Sequence, residues 1–203
     1  MLPDQYNTGP MALPAKLGYL ELITGPMYSG KTSRLLTVFK QAKLCNTSVL
    51  VVNYSEDTRY SNTKLSTHDR IEIPCVFLES LAALEGDEGL KRRLDEAKVI
   101  LINEGQFFDD LFPSVQRFVE QLHKHVYVCG LDGDYKREPF GDLLRLIPIA
   151  DSVVKLKSLC QKCGDGTPAL FSHRVQKGVT EQKLIGTDAY VPLCRKCYLA
   201  LNT

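Results

Sequence analysis

Gly25-Pro26-Met27-Tyr28-Ser29-Gly30-Lys31-Thr32 is the stretch on which the reading of this chain turns. It fills every fixed position of G-x-x-x-x-G-K-[ST], the phosphate-loop pattern. The apolar run Tyr19 to Thr24 precedes it and a helix-compatible stretch, Lys31 to Lys43, follows it. Strand, glycine turn and helix thus come in the order the motif requires. Gly25 and Gly30 admit torsions and close approaches that a side chain would block. Pro26, Met27, Tyr28 and Ser29 complete a loop whose N–H groups, with the helix N-terminus behind them, suit a polyphosphate. Lys31 would reach the terminal phosphates, and the Thr32 hydroxyl would ligate Mg²⁺. The loop predicts a nucleoside triphosphate site.

Outward from the loop, short apolar runs recur at Ser48–Asn53, Lys98–Asn103, Val126–Gly130 and Ser152–Lys157, each of strand length. Ile71–Phe77 reads as a further strand, interrupted at Pro74, and the polar segment Tyr54–Arg70 reads as a loop. Between the strands, Leu35, Leu36, Phe39 and Ala42 share one helical face, and Val115, Phe118, Val119 and Leu122 another. Helical signals also occur at Leu81–Leu84, at Leu90, Leu94 and Ala97, and at Leu143–Ile147. This alternation predicts an α/β fold, a phosphate-loop parallel sheet with helices on both faces, over residues 18–158. Residues 1–17, with Pro3, Gly9, Pro10 and Pro14, read as a flexible leader. In parallel sheets ligands lie at the carboxyl ends of the strands, which brings Glu104 to the same edge as the phosphate loop.

Charge and cysteine usage narrow the classes. Twenty-five basic and twenty-four acidic side chains give a net charge of +1, without the basic footprint of a nucleic-acid binder. No apolar run approaches the roughly 18–20 residues of a membrane span, and the start lacks the charged and apolar regions of a signal peptide. Cys45, Cys75 and Cys129 stand singly and read as core fillers, whereas Cys160-x-x-Cys163 and Cys194-x-x-Cys197 form two pairs separated by thirty residues. Paired C-x-x-C turns each aim two sulfurs at one point, so the four suit a structural tetrahedral Zn²⁺. The segment between the pairs then reads as a large loop or hairpin pinned at its base, in a small C-terminal domain, 159–203. Free and metal-type cysteines fit a reducing, cytoplasmic compartment.

Glu104 ends an apolar strand where a carboxylate can sit beside the β- and γ-phosphates and accept a proton from an attacking hydroxyl. Arg59 is a candidate extra cation at the phosphates. The residues alone leave the acceptor open. A nucleoside kinase, a zinc-ribbon ATPase acting with nucleic acid, and a non-catalytic nucleotide sensor all fit them.

The combination of motifs narrows the choice. Gly-Pro-Met-Tyr-Ser-Gly-Lys-Thr at 25–32, Asp-Thr-Arg-Tyr at 57–60, Glu-Gly-Gln-Phe-Phe at 104–108, Leu-Asp-Gly-Asp-Tyr-x-Arg-x-Pro-Phe-Gly at 131–141 and the cysteine pairs resemble the type II thymidine kinases. The resemblance runs in order from about Gly18 to Tyr198. It implies transfer of the γ-phosphoryl of ATP to the 5′-hydroxyl of thymidine, with Glu104 as general base. It further implies that Asp57, Arg59, Asn103 and Gln106 lie on the triphosphate side. Met27, Leu131, Tyr135 and Phe140 would enclose the nucleoside. In the family the segment between the cysteine pairs is a lasso closing over thymidine; here Ser172 would sit by the thymine methyl, with Leu184, Ile185, Gly186 and Tyr190 over the sugar and base. His173 reads as a loop side chain. A homotetramer and feedback inhibition by dTTP also follow from the resemblance, with no nucleic-acid or membrane partner. Two residues depart from the family pattern: Asn103 stands where Asp is usual, which loses a charge beside the metal, and Tyr135 stands where Phe is common.

Overall fold

The computed structural model describes residues 17–56, 64–66, 72–176, 182 and 189–202. Its centre is a six-stranded sheet built from β1 (Tyr19–Thr24), β2 (Val49–Tyr54), β5 (Val76–Leu78), β6 (Val99–Ile102), β7 (His125–Gly130) and β8 (Ser152–Lys155). The order is β5-β2-β6-β7-β1-β8, and every pairing is parallel. A short antiparallel pair, β3 (Lys64–Ser66) with β4 (Glu72–Pro74), lies outside this sheet.

Strand alternation divides the core. Leu20, Leu22, Leu50, Val52, Ile100, Ile102, Val126 and Val128 face one side, where they pack with Leu84 of α2 (Ala83–Gly86), Leu94 of α3 (Glu88–Glu96) and Leu111 and Val115 of α4 (Leu111–Gln116). Ile23, Val51, Val99, Leu101 and Cys129 face the other, against Leu35, Leu36 and Val38 of α1 (Lys31–Leu44). Both faces are therefore covered, as alternating runs of strand and helix lead one to expect.

Several local expectations are corrected. Pro74 does not interrupt one strand but separates two: it ends β4, and the chain joins the main sheet only from Val76. A proline lacks the N–H that a continuous ladder would use. The polar segment after Tyr54 contains β3, so it is not wholly loop. The helix carrying Val115, Phe118 and Val119 changes at Arg117 from α to a π turn that runs to Gln121, while these side chains still reach the core. Leu143–Ile149 is a 3-10 helix. Of the three single cysteines only Cys129 is buried; Cys75 is half-buried and Cys45 exposed. Cys45 lies just beyond the end of α1, past the helical face that reaches the sheet, beside an exposed Leu44.

The C-terminal part holds β9 (Ser158–Leu159) paired with β10 (Pro168–Ala169), the hairpin of β11 (Phe171–Arg174) and β12 (Tyr190–Leu193), and α5 (Arg195–Leu201). The expected hairpin between the cysteine pairs is thus present. Its core is small: the four cysteines with Ala169, Leu193 and Tyr198. His173 lies on β11, with its ring edge-on to Tyr198 and bonded to the Asn202 amide, so it is a strand residue rather than a loop one.

Candidate active site

The register of the sheet assembles the site. β1 and β7 run level from Tyr19 opposite His125 to Thr24 opposite Gly130, so the loops that follow both strands open at the same edge. Gly25 has φ +143°, and a Cβ there would come within 2.6 Å of the Leu156 carbonyl oxygen. Tyr28 adopts the left-handed region at φ +61° and stays exposed, a strained conformation of the kind stored at functional loops. Gly30, at φ +85°, caps α1. The buried Lys31 folds back so that Nζ donates to the Pro26 carbonyl at 2.8 Å. The Ser29 Oγ is buried and has no partner among the described residues, leaving a polar group in the loop for a ligand.

Beneath the loop lies a neutral polar network. The Thr32 hydroxyl donates to Asn103 Oδ1 at 3.3 Å, and the Cys129 thiol donates to the same oxygen at 3.0 Å. Asn103 Nδ2 donates to Asn53 Oδ1 at 2.9 Å. Asn53 and Asn103 are both buried, and this bond joins their amides without a charge.

One position further on, Glu104 takes the left-handed conformation at φ +54°. Gln106 Nε2 donates to Glu104 Oε2 at 2.6 Å, and Gln106 Oε1 accepts the Leu131 N–H at 3.0 Å. Gln106, which the resemblance puts on the triphosphate side, is thus bonded to the carboxylate and to the first residue after β7.

Met27, Ala189 and Tyr190 form a buried apolar cluster, with Leu131 and Tyr135 packed against it. Four of the expected nucleoside-side residues therefore meet. Phe140 is buried edge-on against Phe107, with ring centroids 5.4 Å apart, outside that cluster. Ser172 is buried on β11, and its Oγ accepts the Met27 N–H at 2.9 Å. Asp57, Arg59, Leu184, Ile185 and Gly186 lie outside the described residues.

Arg174 went unnoticed in the sequence. It is buried, its guanidinium lies 3.9 Å from the Tyr135 ring centroid, and it donates to the Tyr190 hydroxyl at 2.6 and 3.2 Å. Its period-2 relation to Ser172 on a strand is the one signal that points it inward.

The Sγ atoms of Cys160, Cys163, Cys194 and Cys197 all lie within 4.8 Å of one another. Cys163 Sγ is 3.8 Å from Cys194 Sγ and 3.5 Å from Cys197 Sγ. A tetrahedral ion with metal–sulfur bonds of about 2.3 Å has sulfur–sulfur edges of about 3.8 Å, so the donor set fits a metal ion of that kind. Burial raises the Cys160 thiol, but the N–H groups of Cys194 and Cys163 and the thiols of the same two residues outweigh it and lower its pKa, while the neighbouring sulfurs push Cys197 up, so that one sulfur of the four carries the negative charge most readily.

A parallel sheet with a phosphate loop and a tethered carboxylate at one edge defines an α/β phosphate-loop protein equipped to handle a nucleotide. The family model described as thymidine kinase matches residues 18–198, and the chain belongs to that family. It is 40% identical over 182 residues to thymidine kinase a of Arabidopsis thaliana, covering 90% of this chain and 75% of that protein. It is 39% identical over 189 residues to the thymidine kinase of Oryza sativa subsp. japonica, covering 93% and 69%. The thymidine kinase of Bacteroides thetaiotaomicron is 39% identical over 182 residues, covering 90% of this chain and 87% of its own length.

Proposed function

We propose that this chain is an ATP-dependent thymidine kinase, transferring the γ-phosphoryl of ATP to the 5′-hydroxyl of thymidine to give dTMP and ADP. The observation that carries this reading is Glu104. Its carboxylate is bonded to the Gln106 amide, which is bonded in turn to the main chain of Leu131 beside the Met27–Tyr190 cluster. Glu104 accepts the proton of the 5′-hydroxyl as that oxygen attacks the γ-phosphorus, the phosphorus–oxygen bond to ADP breaks, and ADP leaves with its electron pair. Lys31 exchanges its bond to the Pro26 carbonyl for the phosphates. Gly25, Pro26, Met27, Tyr28, Ser29 and Gly30 supply the loop around them, with Asp57, Arg59 and Asn103 on the same side. Mg²⁺ bound at Thr32 would neutralise phosphate charge.

Met27, Leu131, Tyr135, Phe140 and Tyr190 enclose the nucleoside. Leu184, Ile185 and Gly186 approach it, and Ser172 faces the base while holding Met27. Cys160, Cys163, Cys194 and Cys197 hold a structural Zn²⁺ that fixes the base of the 159–203 region against the 18–158 core. We assign the protein to the cytoplasm, as a homotetramer inhibited by dTTP. Among the described residues no helix is long and apolar enough to cross a membrane.

Glu104→Gln tests the reading. The variant should bind ATP normally and lose transfer by roughly 10²–10⁴-fold. Near-normal turnover would remove Glu104 from the role of base.

A further inference from the structure

Gln106 is almost fully buried, and both ends of its amide are committed. The Leu131 N–H can only donate, so it must face Oε1, and this turns the NH₂ group towards Glu104. The surrounding backbone is shaped to admit the side chain. Gly130 immediately precedes Leu131, and a Cβ on it would overlap Gln106 Oε1. Gly141, at φ +55°, packs so closely on the main chain of Gln106 that a Cβ would overlap its backbone carbonyl oxygen, so the backbone that carries the side chain is fixed as well. Glu104 itself sits in the left-handed region at the head of the 3-10 turn Gly105–Phe107, and the Gln106 amide from that turn tethers its carboxylate.

That tether ends on a particular residue. Leu131 packs against the cluster of Met27, Ala189 and Tyr190. The chain of contacts therefore runs from the Glu104 carboxylate, through the Gln106 amide, to the main chain of a residue lining that cluster. We infer that Gln106 is a positioning residue that sets Glu104 in register with the wall of the nucleoside pocket, and that it acts on the transfer step rather than on ATP binding. The inference rests on Glu104 being the base. A carboxylate displaced by even about 1 Å loses much of the benefit of orientation, so the tether governs kcat.

The test compares kcat and KM in the whole protein. Gln106→Met keeps the length of the side chain and removes both hydrogen bonds. It should lower kcat roughly ten- to hundredfold, the range for losing a hydrogen bond to a charged group. KM for ATP and for thymidine should stay within about twofold. Gly130→Ala, which leaves Gln106 and Glu104 intact but displaces the amide, should lower kcat in the same direction. In a Gln106→Ala background, where the obstructed side chain is gone and only the Leu143 methyls at 3.1 and 3.2 Å meet the new Cβ, Gly130→Ala should lower kcat much less than in the parent protein. That non-additivity is a readout a merely structural defect would not produce. Thermal unfolding of each variant identifies any that fail to fold, and the Gly130→Ala pair then carries the test.

A Gln106→Met enzyme with unchanged kcat would overturn the inference. So would one with a raised KM for ATP and unchanged kcat, which would make Gln106 a nucleotide contact. Additive losses in the Gly130 cycle would also overturn it. Glu104→Gln, run beside these variants, separates the two ideas: if it remains active the base assignment fails, and if it is inactive while Gln106→Met is normal only the tether fails.

Discussion

The Met27 N–H donates to Ser172 Oγ at 2.9 Å, joining the phosphate loop to the β11 hairpin across 145 positions of chain. Both partners are buried, so the bond is a fixed joint between the triphosphate loop and the C-terminal region. Ser172→Ala would leave the Met27 N–H buried and unpaired, at a cost of about 1–3 kcal/mol. Thermal or urea unfolding should show that loss. Steady-state kinetics should show a raised KM for thymidine, while Ser172→Thr, which keeps the oxygen, should retain most of the stability.

A metal held at the cysteine cluster would support the same joint from the other side, because β11 and β12 lie between the two cysteine pairs. Elemental analysis of the purified protein should find about one Zn²⁺ per chain, the stoichiometry of a four-cysteine site. Cys160→Ser should lose the metal and weaken thymidine binding before ATP binding, as read by calorimetry. Equal loss of both would mean that the C-terminal region supports the whole fold rather than the nucleoside side.

Asn103 offers an uncharged oxygen to the Thr32 hydroxyl. Asn103→Asp adds a carboxylate at that point, and Asn53 can turn its amide to donate to it. The expected outcome is tighter Mg²⁺-dependent ATP binding with unchanged Mg²⁺-free binding, measured by titrating Mg²⁺ against nucleotide affinity. An unchanged Mg²⁺ dependence would show that position 103 only orients Thr32.

Asp110 links the start of α4 to the turn before α2. It accepts hydrogen bonds from Ser80 Oγ at 2.8 Å, the Leu81 N–H at 3.1 Å, the Ala82 N–H at 2.7 Å and Ser114 Oγ at 3.2 Å. Burial alone would raise its pKa, but these donors together hold it below the usual carboxylate range. Its stabilisation is therefore complete above the unfolded pKa of about 3.9 and is lost as the pH falls through the lower folded value. Asp110→Asn should cost about 1–3 kcal/mol at pH 7. The difference from the parent protein should shrink in urea melts below about pH 4.

Much of the fold is legible in the sequence because its signals are local. Ser48–Asn53 and Lys98–Asn103 are short and apolar, and the Leu35–Ala42 spacing is helical. The cysteine quartet is legible too, since spacing alone pairs the thiols. The order of the strands is not legible, because it depends on which runs pair over long separations. Glu104 and Tyr28 carry no mark of their positive φ in their identity. The two bonds of Gln106 cannot be read from its identity, and nothing in its identity singles out Arg174, which lies against Tyr135. Met27, Leu131, Tyr135 and Tyr190 were placed together by family resemblance, not by any pattern in the chain.

The most direct test of the account follows the phosphoryl group itself. The protein is incubated with Mg²⁺ and ATP labelled at the γ-phosphate, alone, with thymidine, and with DNA. The account predicts label in thymidine 5′-monophosphate, with ADP formed in equal amount and only when thymidine is present. ADP released without thymidine and stimulated by DNA, with no labelled nucleotide product, would contradict it.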